Sequence, residues 1–432
     1  MSTQHGDVVA AGTPRVRRMV GRDPGAGHRT ATPLELLFDL TFVVAFGVAG
    51  DEGAHLLAEG HVEAGLVGFG FAMFAICWAW INFSWFASAF DTDDWVYRLT
   101  TMVQMIGVIV LALGLPVMFD SLDEGGRVHN EVMVAGYVVM RLAMLVQWLR
   151  AARQAPRYRR ACLGYVWTLV VSQVGWIVLA VAPVSQGLFF LAGALLVAVE
   201  MGGPYVSERL VPGDGQSTPW HPHHIAERYG LLAIITLGEG VIGTVATLSA
   251  VVGHGDGWTL DAVLVAVAGT ALTFGLWWTY FLTPAGELLE AHPERSFLWG
   301  YGHIVVVAAL AATGAGLHVV AYGLEGESTL SPVGTLLAVV VPILVFLLSD
   351  YVTFWGLART VDRLHLSLLV GGVVVLALAV AVVAAGGPTA VGLLLAALAP
   401  AVTVVGYETV GHRHVAALLG RALDQGEERA GR

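Results

Sequence analysis

The sequence predicts an all-α polytopic integral membrane protein with about twelve transmembrane helices, arranged as two tandem parallel six-helix repeats. Composition is the first reason: the 432 residues are 56% hydrophobic and only 13% charged, whereas soluble domains average about a quarter charged residues. Apolar stretches of about 20 residues, the length that crosses a bilayer, are the second. The third is that motifs of the first half recur in the second half in the same order.

The predicted spans follow one another with short polar loops between them. They are Leu34–Leu57, Val62–Phe90, Val96–Phe119, Glu131–Arg150, Cys162–Pro183, Gly187–Glu208, Ile225–Val251, Trp258–Thr283, Phe297–Tyr322, Val333–Trp355, Leu366–Ala385 and Thr389–Gly411. The joints from Pro183 to Gly187 and from Gly386 to Thr389 are very short, so a count of eleven spans also stays open.

Domain organisation follows from these spans. Residues 1–31 are rich in Gly, Ala, Thr and Arg and lack the continuous apolar core of a signal peptide, so we expect a disordered cytoplasmic tail. Residues 32–210 then form the first six-helix repeat, residues 211–223 a cytoplasmic linker and residues 224–411 the second repeat. Residues 412–432 form a second cytoplasmic tail.

The arginines predict the orientation of the chain. All 22 basic residues are arginine, and with twelve spans all but Arg127 and Arg141 fall on the side of the N-terminal tail. Loops rich in arginine stay on the cytoplasmic side of a membrane. We therefore expect both termini to be cytoplasmic.

The repeat is indicated by an acidic loop and an arginine at the same place in each half. Asp91 and its neighbours precede Arg98, which opens the third span, and a second acidic loop precedes Arg295, which opens the ninth. Glu35 near the start of the first span similarly corresponds to Glu227 near the start of the seventh. Repeats with an even number of spans are parallel, because an axis along the membrane normal relates them.

Glu35 and Asp39 lie four residues apart, on one face of the first span. Because this span enters from the cytoplasm, Asp39 lies about 6 Å deeper than Glu35, and a charge at that depth is a candidate proton or cation site. The alternative is structural: both carboxylates pair with arginines at inner helix ends, such as Arg98, Arg228 or Arg295, and only hold helices together.

Glu239 lies deeper still, about 20 Å from the cytoplasmic end of the seventh span. Gly238 and Gly240 beside it would let a neighbouring helix approach closely. Nothing about membrane insertion calls for a carboxylate there, so we interpret Glu239 as a functional proton or cation site. Otherwise it is neutral or pairs with Arg141.

Arg141 lies inside the fourth span, where it needs a carboxylate partner. Glu239, Glu200 and Asp39 are the three candidates for that partner. Asp350, near the inner end of the tenth span, is expected to reach the membrane interface.

Histidines give weaker signals. His224 and Glu227, three residues apart, share a helix face and are weak candidates for metal ligands, although capping and solvation explain the tract equally well. His303, about 10 Å into the ninth span, could line a polar path or simply form a hydrogen bond between helices. No nucleotide-binding loop or hydrolase motif is present, so we expect no cofactor, and the net charge of −11 does not indicate a nucleic-acid partner.

Three motifs resemble the bacterial low temperature requirement A family (LtrA). They are Glu35–Val43 (ELLFDLTFV), Phe90–Asp94 followed by Arg98, and His224–Leu232 followed by Ile234–Glu239. The resemblance extends from about Thr32 to the last span, and it implies an integral protein of the bacterial inner membrane, named for a growth requirement in the cold. It also implies that the following residues act together: Glu35, Asp39, Asp91, Arg98, Glu227, Arg228 and Glu239.

Three classes of function fit these features. We favour a secondary transporter or ion pathway for an unknown small solute or ion, with Asp39 and Glu239 as proton or cation sites and Arg141 as their counter-charge. An intramembrane enzyme acting on a lipid or isoprenoid would instead use Glu239, or His224 with Glu227, as acid and base. A non-catalytic membrane component of cold or stress adaptation would use all the charges for structure alone.

Overall fold

The computed structural model describes residues 16–23, 30–209, 217–254 and 259–420. Within these ranges the regular structure is entirely helical, and twelve helical segments are long and apolar enough to cross a membrane. The predicted class, an all-α polytopic membrane protein with twelve spans, is therefore confirmed, and the count of eleven is not.

The helices follow the predicted spans closely. They are α1 Pro33–Glu59, α2 Val62–Phe90, α3 Trp95–Leu113, α4 Leu115–Glu124, α5 Glu131–Gln154, α6 Arg159–Val181, α7 Gln186–Arg209, α8 Pro222–His254, α9 Leu260–Phe281, α10 Ala285–Ala291, α11 Ser296–Glu325, α12 Pro332–Ala358, α13 Arg363–Ala384 and α14 Thr389–Gly406. The third span is divided into α3 and α4 at Gly114, just before Pro116, because proline cannot donate the backbone hydrogen bond that would continue α3. The short α10 precedes the ninth span.

The first turn of α1 explains part of its acidic motif. Thr32 caps the helix: its Oγ1 accepts from the backbone N of Glu35 at 3.3 Å, and the Glu35 carboxylate accepts from the backbone N of Thr32 at 2.7 Å. Pro33 occupies the first helical position, where a missing N–H costs nothing. Glu35 thus completes a capping box that fixes where α1 begins.

Helix α1 packs against α2 and α3 of the first half and against α8 and α11 of the second half. We call its contact with α8 and α11 the central seam. The end of the bundle where α1, α8 and α11 begin carries Arg98, Arg150 and Arg295, and we call it the arginine-rich end.

Helices α8 and α11 approach each other most closely at Gly243 and Gly314. A Cβ atom on Gly243 would lie 2.5 Å from the carbonyl oxygen of Gly314, and one on Gly314 would lie 2.7 Å from the Cβ of Glu239. Glycine is therefore needed at both positions, and the two backbones fix the height at which Glu239 meets α11.

Residues 16–23 of the predicted cytoplasmic tail lie against the arginine-rich end, and residues 1–15 and 24–29 of that tail lie outside the described residues. The backbone N of Arg17 donates to Asp94 at 2.9 Å, and the backbone N of Met19 donates to Gln154 Oε1 at 2.7 Å. The Met19 side chain is fully buried. The amino-acid composition of this segment does not predict these hydrogen bonds to Asp94 and Gln154.

Asp94 organises this end. Its carboxylate caps α3 by accepting from the backbone N of Tyr97 at 2.9 Å and also pairs with Arg150. Burial acts to raise the pKa of Asp94, but the hydrogen bonds from Arg150 and from the backbone of Tyr97 and Arg17 outweigh it and hold that pKa below its usual value.

Candidate functional site

A buried ion pair joins α1 and α8 in the central seam. Asp39 Oδ1 accepts from Arg228 Nη2 at 2.5 Å and from Trp80 Nε1 at 2.7 Å, and the side chains of Asp39 and Arg228 are both fully buried. Arg228 also donates to Ser84 Oγ at 3.2 Å. Of the arginines that we considered as partners for Asp39, the structure therefore selects Arg228.

Trp80 closes this pair off from its surroundings. The Arg228 guanidinium lies 5.4 Å from the centroid of the Trp80 ring, and the ring of Tyr229 meets Trp80 edge to face at 5.0 Å. A charged pair of this kind needs its hydrogen bonds and its dry aromatic neighbours to remain intact, because water would otherwise compete for both charges. Sequence analysis assigned Trp80 no role in a site.

One turn closer to the arginine-rich end, Glu35 makes a second contact between the same helices. Its Oε1 atom lies 3.2 Å from His224 Nε2, and both side chains are fully buried. The other oxygen, Oε2, is held by Thr32 within the capping box. Glu35 and Asp39 thus lie on one face of α1, as their spacing predicts, and both contact α8.

Glu239 lies halfway along the central seam, and it differs from these pairs. Its side chain is 5% exposed, it forms no ion pair with any described residue, and its Oε1 atom is buried without a hydrogen-bond partner. It faces Gly47 of α1, where a Cβ atom would lie 3.5 Å from Oε1. Gly50 also faces it, with a Cβ atom that would lie 4.0 Å from Oε2.

Beyond Glu239 the seam ends in another titratable pair. His318 of α11 lies 3.4 Å from Asp51 of α1, whose side chain is 62% exposed. Glu35, Asp39, Glu239 and Asp51 therefore follow one another from the arginine-rich end to the opposite end. The sequence signal for Asp51 was available, because it is a third carboxylate on the same helix as Glu35 and Asp39.

Arg141 lies in a separate cluster formed by α5, α6 and α7. Its Nη2 atom is 3.6 Å from Glu200 Oε2, and it donates to the Tyr137 hydroxyl, which itself donates to Glu200 at 2.5 Å. Gln173 donates to the other oxygen of Glu200 at 3.3 Å. Of the three partners considered for Arg141, the structure thus selects Glu200.

Asp91 and Arg98 lie at the surface of the arginine-rich end. Arg98 forms a two-pronged ion pair with Asp93 at 2.8 and 2.9 Å, and Asp91 accepts from the backbone N of Asp93 at 2.7 Å. The Arg98 side chain is 60% exposed. These two contacts lie within the loop between α2 and α3 and the start of α3.

Glu227 and Arg295 each form a hydrogen bond with backbone groups near the end of a helix. Glu227 Oε1 accepts from the backbone N of Ala31 at 3.2 Å, which fixes the approach to α1. Arg295 Nη1 donates to the carbonyl oxygen of Gly356 at 2.5 Å, near the end of α12, where carbonyl groups lack helical partners.

The histidines near the start of α8 have different partners. His223 Nε2 lies 3.0 Å from Glu290 Oε2, whereas His224 faces Glu35. In the described ranges no three His, Cys, Asp or Glu side chains come together in a metal-binding arrangement. His224 instead contacts Glu35 of α1, and Glu227 accepts from the backbone of Ala31 just before α1.

His303 lines a cavity that sequence analysis did not anticipate. Its Nδ1 atom lies 2.7 Å from the carbonyl oxygen of Trp299, and its Nε2 atom lies 3.1 Å from the Tyr280 hydroxyl. The cavity has a volume of about 200 Å³ and is also lined by Asp350. Asp350 precedes the end of α12 by about 12 Å of helical rise, and its assignment to the membrane interface stays a prediction.

Comparison with known proteins gives a family match over most of the chain. The family model described as bacterial low temperature requirement A protein (LtrA) matches residues 30–400. The chain is also similar to an uncharacterized protein of Rhizobium meliloti (strain 1021), at 27% identity over 296 residues, which covers 65% of this chain and 67% of that protein. No solved structure matches the chain.

Proposed function

The chain belongs to the bacterial low temperature requirement A family, and from this premise we propose that it is a secondary transporter or ion pathway with intramembrane carboxylates as proton or cation sites. Glu239 is the observation that carries the proposal. It lies at mid-depth in α8, is 5% exposed and has no ionic partner among the described residues. Carboxylates at membrane depth are costly and usually functional.

The surroundings of Glu239 favour a role in ion binding over a structural role. A structural carboxylate in a low-dielectric interior is held by a cation or by several donors, as Asp39 and Glu200 are. The carboxylate of Glu239 is instead faced by Gly47 and Gly50, which offer no side chain. A lone charge there is expensive, so we infer that the site holds a proton or a small cation when it is occupied.

Asp39 has a different role in the proposal. Its pair with Arg228 holds α1 against α8 between Glu239 and the arginine-rich end. We infer that this pair separates when the path opens toward that end and releases the Asp39 carboxylate to receive the ion. Arg141, paired with Glu200 in α5 to α7, is a fixed counter-charge of its own cluster rather than of Glu239.

We also propose that the arginine-rich end faces the cytoplasm, that both termini lie there, and that the protein resides in the bacterial inner membrane. The arginine distribution supports this orientation, and the family supports the location. The protein's partners are then the lipid bilayer and an unidentified small ion or solute.

Two parallel six-helix repeats, residues 32–210 and 224–411, remain part of the proposal. Five neighbouring pairs in the first half are α1–α2, α1–α3, α3–α5, α5–α6 and α6–α7. The corresponding pairs in the second half are α8–α9, α8–α11, α11–α12, α12–α13 and α13–α14. This recurrence of neighbours supports a duplication, with α1 equivalent to α8.

A flux screen on purified protein in liposomes tests the function. We expect movement of protons, Na⁺ or K⁺, read by ion-sensitive dyes, and we expect Glu239→Gln to abolish it. Glu408→Gln is the matched control, because Glu408 is an exposed carboxylate near the end of α14 whose visible contact is with Trp278 Nε1 at 3.3 Å. Absence of flux for every ion and solute in the wild type, or full flux in Glu239→Gln, would overturn the proposal.

A further inference from the structure

The cavity lined by Asp350 and His303 lies between α8, α9, α11 and α12, away from α1. It has a volume of about 200 Å³, roughly the space of six or seven waters at about 30 Å³ each. Tyr280, Trp299 and Thr353 complete its inner wall, and the exposed Glu287 lies at its edge. We propose that this cavity binds a small organic cation through a primary ammonium group, which gives the substrate class of the transporter; that last assignment rests on the proposed function.

The charge of the cavity selects a cation. Asp350 is half-buried, and within the described ranges its carboxylate has neither an ion-pair partner nor a hydrogen-bond donor. Glu287 adds a second negative charge, and no arginine is among the described residues that line the cavity. A cleft that carries charge of one sign between low-dielectric walls concentrates ions of the opposite sign.

The hydrogen bonds of the wall leave acceptors facing the cavity. The carbonyl oxygen of Trp299 can only accept, so His303 Nδ1 carries the proton, and Nε2 of the neutral ring then accepts from the Tyr280 hydroxyl. Thr353 donates its own hydroxyl proton to the backbone oxygen of Asp350 at 2.8 Å. The donors of His303, Tyr280 and Thr353 are thus used within the protein, and the oxygens of Tyr280, Thr353 and Asp350 keep lone pairs.

This acceptor set matches a primary ammonium better than a metal ion. An –NH₃⁺ group presents three donors and no acceptor, whereas hard metal ions require about six oxygen ligands. Trp299 and Tyr280 add aromatic surface, which attracts cations and accommodates an apolar body. The ligand is therefore an amine with a short hydrophobic part.

One residue connects this cavity with the central seam. The ring of Tyr229 lies 4.7 Å from Trp299 and 4.9 Å from His303, centroid to centroid. Tyr229 also packs against Trp80 at 5.0 Å, and Trp80 donates to Asp39. Tyr229 therefore lies between two wall residues of the cavity and the tryptophan that contacts the pair between α1 and α8.

The test measures binding of phenethylammonium to the purified full-length protein by calorimetry, with tryptophan fluorescence as a second signal. We expect saturable binding by the wild type and none of the neutral isostere 2-phenylethanol. Asp350→Asn is expected to weaken binding at least tenfold, while Glu408→Gln, a carboxylate change outside the cavity, binds as the wild type does. Equal binding of 2-phenylethanol, equal binding by Asp350→Asn, or competition by K⁺ at the same concentrations would overturn the inference.

Thr353→Val keeps the test decisive if Asp350→Asn does not fold. It removes one acceptor and preserves side-chain shape, so we expect binding to weaken severalfold with an unchanged thermal unfolding midpoint. Unchanged binding by a folded Thr353→Val protein would then overturn the inference. Wild-type protein that shows ion flux without phenethylammonium binding overturns this inference alone, whereas binding without any flux overturns the proposed function alone.

Discussion

Arg228 of α8 donates a hydrogen bond to Asp39 of α1 over 2.5 Å, and neither side chain is exposed. The pair is the only ionic contact of either residue among those described, so each charge depends on the other. Removing one partner leaves the second buried and uncompensated, which costs more than the pair itself contributes.

Asp39→Asn should therefore destabilise the protein by about 3–5 kcal/mol, because it strands the Arg228 charge in the core. Thermal unfolding in detergent measures the loss. The double variant Asp39→Leu/Arg228→Met removes both charges and should recover much of the stability. If the single variant matches the wild type, the ion pair does not hold α1 to α8.

Glu239→Gln should change stability by less than about 1 kcal/mol, since this carboxylate has no described ionic partner to lose. Glu200→Gln is the contrasting variant, because it leaves Arg141 buried without its carboxylate and should cost about 3–5 kcal/mol. Unfolding midpoints of the two variants, measured side by side, give the comparison. A large loss in Glu239→Gln would mean that Glu239 is structural.

Gly243→Ala should destabilise the contact of α8 with α11 by about 1–3 kcal/mol, because its Cβ atom would press on the Gly314 carbonyl oxygen. Gly238→Ala, on the same helix, is the matched control: nothing lies within 4 Å of its added Cβ. There, alanine is expected to be neutral or slightly stabilising, since it favours the helix over glycine. Equal effects of the two substitutions would contradict the close approach.

The contribution of Asp94 to stability should depend on pH. Its pKa is lower in the folded protein than in the unfolded chain, so the stabilisation is fully present above the usual aspartate pKa of about 4 and is lost as pH falls through the folded value. The unfolding midpoint of Asp94→Asn should accordingly lie below that of the wild type at neutral pH. The two curves should converge as the pH falls below the folded pKa of Asp94; a constant gap would argue against the charged form of Asp94 as the cause.

Local sequence patterns account for the spans but not for the pairings between them. Apolar length and the scarcity of charged residues predict the twelve helices, and Thr32 with Glu35 marks the start of α1. The partner of Asp39 stayed open among several arginines, because that choice depends on which helices meet, a property of long-range packing. Arg141 was undetermined for the same reason until the contact of α5 with α7 residues placed Glu200 beside it.

Asp350 shows a second limit. Its position near a helix end predicts an interfacial side chain but does not predict the cavity that it shares with Tyr280. Volume between helices follows from their mutual tilt, which hydropathy does not encode. The spacing of titratable residues on α1 was more informative, because one helix suffices to define it.

The close approach at Gly243 and Gly314 also limits how the protein can change shape. Interlocked backbones cannot slide along each other without a clash, so α8 and α11 form one rigid wall beside Glu239. Helix α1 faces that carboxylate with Gly47 and is held to α8 by side-chain contacts, so we expect α1 to be the part that shifts when those contacts open. Access to Glu239 would then alternate between the two ends of the bundle through small displacements of α1, while α8 and α11 keep their positions.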